Sequence, residues 1–240
     1  MIKKNSFTAA FTLIELLVVI TIIGILASVA LPVFNSVQVK GQQTKSLAQA
    51  KQIGLALKIC SGDNDGVYPK NGVPATITGT PTSSNQAFFA LFPTYTTSEK
   101  IFGNKLAVGY QTGAGPDDRI DTGATATYPG TETLKTGENV YGYMMGLTDA
   151  SSPSCPIVFD GTATQTGDTT GAYSLTQTAK GGVWSGTKAV VIYLDNHGSV
   201  ETLDTTLHEV LTVVADGSKK SLLSTTDNPN LTGCSLLNPK

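Results

Sequence analysis

Residues 11–34 read FTLIELLVVITIIGILASVALPVF, twenty-four positions whose only charge is Glu15. As a helix rising 1.5 Å per residue, this stretch matches the roughly 30 Å hydrocarbon core of a bilayer. Ahead of it, MIKKNSFTAA carries Lys3 and Lys4 as its only side-chain charges. Lysines on that side hold the N-terminus in the cytoplasm and send the rest of the chain outward. A signal peptide or a plain anchor would present a similar run, with Ala27, Ser28 and Ala30 imitating a leader cleavage site. Glu15 separates these readings. A carboxylate inside an apolar span costs on the order of 2.5–3.5 kcal/mol on insertion scales, so it needs a partner. Lys4 is the last basic residue before the span and Lys40 the first after it. A cut between Ala10 and Phe11 would create an α-amine four residues before Glu15. In a stack of parallel helices offset along their axes, one subunit's carboxylate meets the next subunit's amine, which fixes the stagger.

The segment FTLIELLVVI resembles the prepilin N-terminus of type IV pilins and type II secretion pseudopilins. The resemblance implies a leader, residues 1–10, cut by a prepilin peptidase between Ala10 and Phe11, with Phe11 then N-methylated. It makes Glu15 the assembly carboxylate and Pro32 a helix-kinking proline. The family usually has Gly before the cut, where this chain has Ala10. The implied fold is α+β and pilin-like, a long N-terminal helix packed on a C-terminal antiparallel sheet with loop insertions. Residues 11–34 would form its transmembrane and assembly half, 35–61 its amphipathic half, and 62–240 an extracytoplasmic β-rich domain.

Beyond Pro32, Ile53, Ala56, Leu57 and Cys60 recur at helical spacing beside polar Gln49, Lys51, Gln52 and Lys58. The spacing predicts one helix from about Phe11 to about Cys60, roughly 75 Å long, stopped by Gly62 and the SGDNDG cluster. The phrase AKQIGLALKICSGDNDGVYP is also similar to the helix end of major pseudopilins. Asp63, Asn64 and Asp65 start like an EF-hand loop, but the later ligands are missing and a capped turn is the better reading. Calcium, which major pseudopilins bind in a C-terminal loop, directs attention to a second acidic group, Asp117, Asp118 and Asp121. No other cofactor is expected.

The remainder is rich in Thr and Gly. Residues 85–95 (NQAFFALFPTY) read as a short helix with Asn85 as N-cap and Pro93 as terminator, its Phe88, Phe89, Leu91 and Phe92 filling a core. Residues 111–137 lack periodicity and read as a long surface excursion. Strands are expected at 139–145, 156–160 and 188–194, the last closing a hairpin through the turn Asp195–Ser199. TLHEVLTVVADG reads as a helix with Thr206 and Glu209 in a capping box, and the polar tail from Ser218 as partly irregular.

Composition narrows function. Charged residues are 14% of the 240-residue chain, its net charge is −2 and Arg119 is its only arginine, which argues against nucleic-acid binding. Three cysteines leave one over. Cys155 and Cys234 are the candidate disulfide, against the alternatives that all three are free or that Cys60 takes a partner. His208–Glu209 lacks the second histidine of HExxH, and GVWSG places Ser185 one position too late for a nucleophile elbow. No catalytic residues emerge.

The expected role is therefore a structural subunit of a type II secretion pseudopilus or type IV pilus-like filament. The alternative is a minor pilin-like surface protein that binds a ligand, cargo or adhesion target. The partners implied are further copies of the chain, other pilin-like subunits, prepilin peptidase, inner-membrane assembly machinery, and membrane lipid before assembly. The implied location is the bacterial inner membrane, single-pass, with the globular part periplasmic or extracellular and a filament after assembly.

Overall fold

The computed structural model describes residues 12–75, 77, 79–111, 113, 115–120, 132–163, 171–214 and 216–240, without the side chain of Pro32. The expected leader (residues 1–10, with Ala10 at its end), Phe11 and Asp121 lie outside these residues. Two compact units divide the chain at Thr44 and Lys45.

The first unit is the opening part of α1 (Leu13–Gly62). Thr12 and Glu15 start it with a reciprocal capping box. The Thr12 backbone N–H and hydroxyl donate to Glu15 Oε2 at 2.9 and 2.7 Å, and the Glu15 N–H donates to Thr12 Oγ1 at 3.3 Å. Within the apolar run the hydroxyls turn back on their own helix. Thr21 donates to the Val18 carbonyl at 2.7 Å and Ser28 to that of Ile25 at 2.8 Å, so neither presents an unsatisfied donor to an apolar surrounding. The helix is unbroken through position 32.

The second unit holds the core. Ser46, Ala50, Ile53, Leu57 and Cys60 are buried, while Lys51, Gln52 and Lys58 are exposed. This is the amphipathic pattern the spacing predicts. The helix stops at Gly62 in a capped turn. The Asn64 side chain donates to the Cys60 carbonyl at 2.7 Å and the Gly66 N–H to that of Ser61 at 2.8 Å. Asp149 fastens this end, accepting from Lys58 Nζ at 2.7 Å, Tyr68 OH at 2.9 Å and Ser61 Oγ at 3.2 Å on a single oxygen.

The buried face lies on a five-stranded antiparallel sheet of β1 (Tyr141–Met145), β2 (Pro156–Asp160), β3 (Lys188–Tyr193), β4 (Gly198–Thr202) and β7 (Ser235–Leu237), in the order β4-β3-β2-β1-β7. This is the α+β pilin-like arrangement expected of the sequence. Tyr141 OH lies 3.0 Å from Ser46 Oγ and donates to the Ser46 carbonyl at 3.2 Å, tying sheet to helix. Gly142 pairs with Phe159 across β1 and β2, where a Cβ would stand 2.3 Å from the Phe159 ring. No other residue fits beneath that ring. Phe88 packs between Phe102 and Tyr143, with ring centroids at 5.3 and 5.6 Å, as core filling.

Four expectations need correction. The short helix is α2 (Ser84–Phe89), ending before Pro93, with Ser83 rather than Asn85 at its N-cap position and no side-chain capping bond there; the Asn85 amide instead reaches the Leu134 and Lys135 carbonyls at 3.0 and 3.1 Å. Residues 205–209 form a turn, because Asp204 captures the Thr206 and Leu207 amides at 2.8 Å and His208 adopts φ +54°. The following residues become β5 (Leu211–Val213), paired with β6 (Lys219–Ser221). The tail is less irregular than its polarity suggests, since β7 completes the sheet edge and Leu223, Leu231, Leu236 and Leu237 are buried. Within the 111–137 excursion, Thr133 and Leu134 are buried rather than on the surface.

Two consequences can be measured. Thr12→Val removes half of the capping box, a loss on the order of 1 kcal/mol; the Glu15 amide should then exchange roughly fivefold faster in detergent micelles, and unchanged exchange would exclude the cap. Asp160, buried in the sheet, accepts from Trp184 Nε1 at 2.6 Å and the Val190 N–H at 2.7 Å. Burial nevertheless pushes its carboxyl up to about 6, against the lowering by these two donors. The folded state thus holds an extra proton between about pH 4 and pH 6, and this contribution is lost as pH rises through that window, up to about 3 kcal/mol. Denaturant titrations followed by Trp184, the only tryptophan, should show that loss in the native chain and a flatter profile in Asp160→Asn.

Candidate assembly segment and an acidic cluster

From Leu13 to Val39, seventeen large apolar side chains are 44–82% exposed on α1. The helix Leu13–Gly62 is the one helix among the described residues long and apolar enough to cross a membrane. Glu15 sits at its first turn, so its charge also faces the positive end of the helix dipole. Its partner in the structure is Thr12, a set of neutral donors rather than a countercharge. The sequence Thr12-Leu13-Ile14-Glu15 has the capping-box pattern, which is the signal that would have found this second role. The helix accommodates position 32 without interruption.

Cys60, Cys155 and Cys234 are free thiols in the structure. Burial raises all three pKa values, Cys60 to about 11, and proximity to Cys155 adds to the rise at Cys234. The Cys155 thiol faces the Asn230 carbonyl at 3.6 Å. His197 stays in the β3–β4 turn, its ring stacked on Tyr193 at 4.2 Å and its Nδ1 at 2.5 Å from Asp195.

The expected acidic group divides. Asp118 caps the 3-10 helix Glu99–Phe102, accepting from Ser98 Oγ at 2.8 Å and the Glu99 N–H at 2.9 Å and pairing with Lys100 at 2.8 Å. Those donors, the Lys100 ammonium foremost, hold its carboxyl below the usual range. Asp117 instead converges on Glu99 and Glu138, with one carboxylate oxygen from each within 4.8 Å of the others. Glu99 and Glu138 were not singled out from sequence. Each stands alone in its own segment, and only the folded chain brings them to Asp117. Around them, Lys135 approaches Asp117 at 3.6 Å and Glu132 at 3.0 Å, and Arg119 approaches Glu132 at 3.3 Å.

Residues 6–31 match the family described as the prokaryotic N-terminal methylation motif. A "Probable minor fimbrial protein" of Dichelobacter nodosus is 45% identical over 53 residues, 22% of this chain and 33% of that protein. A "Type IV major fimbrial protein FimA" of Dichelobacter nodosus (strain VCS1703A) is 38% identical over 72 residues, 30% of this chain and 43% of that protein. A "Fimbrial protein" of the same species is 29% identical over 119 residues, 47% of this chain and 73% of that protein. The chain thus spans between a third and just over two-fifths of the length of the first two. No solved structure matches it. Pilin-family proteins are structural and non-enzymatic. The matched motif at residues 6–31 and the fimbrial relatives show a distant homology to Dichelobacter type IV fimbrial proteins.

Proposed function

We propose that the chain is a structural subunit of a type IV pilus-like filament or type II secretion pseudopilus, made as an inner-membrane precursor and assembled through α1. The observation that carries this reading is the exposed apolar stretch from Leu13 to Val39 with its single carboxylate. Leaving a large apolar side chain in water rather than burying it costs about 1.5–3 kcal/mol. Seventeen of them together exceed the roughly 5–15 kcal/mol that stabilises a whole domain. Something must cover this surface, first lipid and then neighbouring copies.

In this reading the N-terminus begins in the cytoplasm and residues 62–240 lie in the periplasm or outside the cell. Prepilin peptidase cuts between Ala10 and Phe11, Phe11 is methylated, and inner-membrane machinery lifts the subunit from the bilayer. The cut removes Lys3 and Lys4, taking the formal side-chain charge from −2 to −4. It also frees the amine that meets Glu15 of a neighbour. Pro32 lets the helix bend as it packs with its neighbours. In a secretion system, filament growth would push folded cargo outward. The relative named "Probable minor fimbrial protein" favours a second reading, a minor subunit that presents a ligand-, cargo- or target-binding surface among other pilin-like subunits. Once outside the cytoplasm, Cys155 and Cys234 are the pair that would bridge.

Glu15→Val should insert and be processed normally yet yield few or no filaments, read by shearing and electron microscopy; a normal filament yield would overturn the pairing. Mass spectrometry of the mature chain should give an N-terminus at methylated Phe11. A chain starting just after Ala27 or Ala30 would make it an ordinary secreted product. The same spectrum with and without reductant reads the Cys155–Cys234 bridge.

A further inference from the structure

We propose that Lys51, on the outer face of α1, pairs with Asp63, at the end of α1, of a second copy of this chain. The inference rests on the filament reading and adds to it a contact outside the apolar run.

Charge is divided unevenly along the sequence. Between Glu15 and Asp63 the chain carries Lys40, Lys45, Lys51 and Lys58 and no acidic residue, whereas residues 63–240 carry seventeen carboxylates against ten basic side chains. Where the sheet covers one side of α1, the other side presents Lys45, Ala48, Lys51, Leu55 and Ile59, all exposed, with Leu55 at 51% and Ile59 at 49%. Lys58 is taken by Asp149. Among the described residues, Lys45 and Lys51 are in no ion pair. The Lys51 stem lies against the β3–β4 hairpin, its Cε 3.0 Å from where a Cβ on Gly198 would stand, which supports the stem while the ammonium stays in water.

The end of α1 is the complementary surface. A helix C-terminus carries partial negative charge and favours cations in its last turn, yet α1 has no basic residue there. Asp63 and Asp65 follow instead, both exposed. The Asp63 N–H still donates to the Ile59 carbonyl at 3.2 Å, so this residue keeps the helical register. Its carboxylate interacts with the Tyr95 hydroxyl, which brings no positive charge. Among the described residues neither aspartate is in an ion pair. Helix dipole and two carboxylates thus gather at one point, and the nearest lysine on the helix is already committed to Asp149.

One shift satisfies two contacts. Ala48 and Lys51 share a face at i, i+3, and Ile59 and Asp63 share one at i, i+4. Sliding a parallel copy by eleven to twelve residues, about 17–18 Å at 1.5 Å per residue, sets Ala48 beside Ile59 and Lys51 beside Asp63. The small side chain makes room where the large one stands. This shift equals three of the four-residue steps that pairing of Glu15 with a neighbour's amine imposes, and it has the same sense. The copy displaced toward the C-terminal end of the helix contributes the lysine, as it contributes the amine. An exposed ion pair adds little cohesion by itself; repeated at every subunit, it selects the register.

Within one chain Lys51 and Asp63 are about 18 Å apart along the helix, beyond the reach of a zero-length crosslink. Wild-type filaments are therefore treated with a water-soluble carbodiimide, which joins amine and carboxylate as an amide and takes up the water lost as a urea. Mass spectrometry should find the Lys51–Asp63 peptide in filaments and not in monomers held in micelles. Lys51→Glu and Asp63→Lys should each lower filament yield roughly fivefold or more, and the double variant should restore most of it. Both positions are exposed, so denaturant titrations followed by Trp184 should be unchanged. Absence of filaments from the wild-type chain would overturn the filament reading and this pairing with it. Wild-type filaments that lack the link, or folded single variants that assemble at full yield, would overturn the pairing alone. A double variant that assembles no better than either single one would do the same.

Discussion

An apolar helix surface that water cannot tolerate is the constraint on which the rest of the molecule depends. Over Leu13–Val39 the large apolar side chains are exposed among the described residues, and the Thr21 and Ser28 hydroxyls are satisfied within the helix. From Ser46 to Cys60 the same helix changes to a one-sided pattern and lays its apolar stripe on the sheet. No break in helical structure is needed between these regimes. What changes is periodicity, from apolar on all sides to apolar on one.

The sheet-bearing unit is built to hold that second stretch firmly. Tyr141 reaches Ser46 and its carbonyl, and Asp149 gathers three donors from the end of the helix and the segment after it. Lys58 and Asp149 are partly exposed, so their pair alone contributes little. The Tyr68 and Ser61 donors give it directional support. Gly142 beneath Phe159 shows the same economy in the sheet, where an absent Cβ makes room for a ring.

The sequence made some of this plain and concealed the rest for physical reasons. The long helix and its stripe were legible from their side-chain period, and β1, β2 and β3 from short aromatic and β-branched runs, whose continuous burial leaves no alternation to read. The turn at Asp204–Glu209 was misread as a helix because Thr206 and Glu209 fit a capping pattern and the apolar spacing agreed; the Asp204 side chain took the amides first. The β5–β6 hairpin went unread within the expected helix, although Asp216–Gly217, where Gly217 takes φ +80°, is a turn pair. β7 was invisible because three residues carry no period, and its edge position is set by β1. The Glu99–Asp117–Glu138 cluster shows the same limit. Its members are separated along the chain and meet only through tertiary folding.

In the proposed filament, the Glu15 carboxylate would have two successive uses. In the isolated chain, Thr12 satisfies it with two neutral hydrogen bonds at an exposed helix end, where water screens the charge. Inside the proposed filament that cap would no longer suffice, because neutral donors leave a net charge in a low-dielectric surrounding. An ammonium would neutralise it, and the attraction grows as water is excluded. The cap therefore does not compete with assembly. It holds the carboxylate in place while the helix end is wet, and in the proposed filament the pairing would become the stronger interaction only as neighbouring helices close around it. Charge neutralisation and helix packing thus favour the same final register, each strengthening the other.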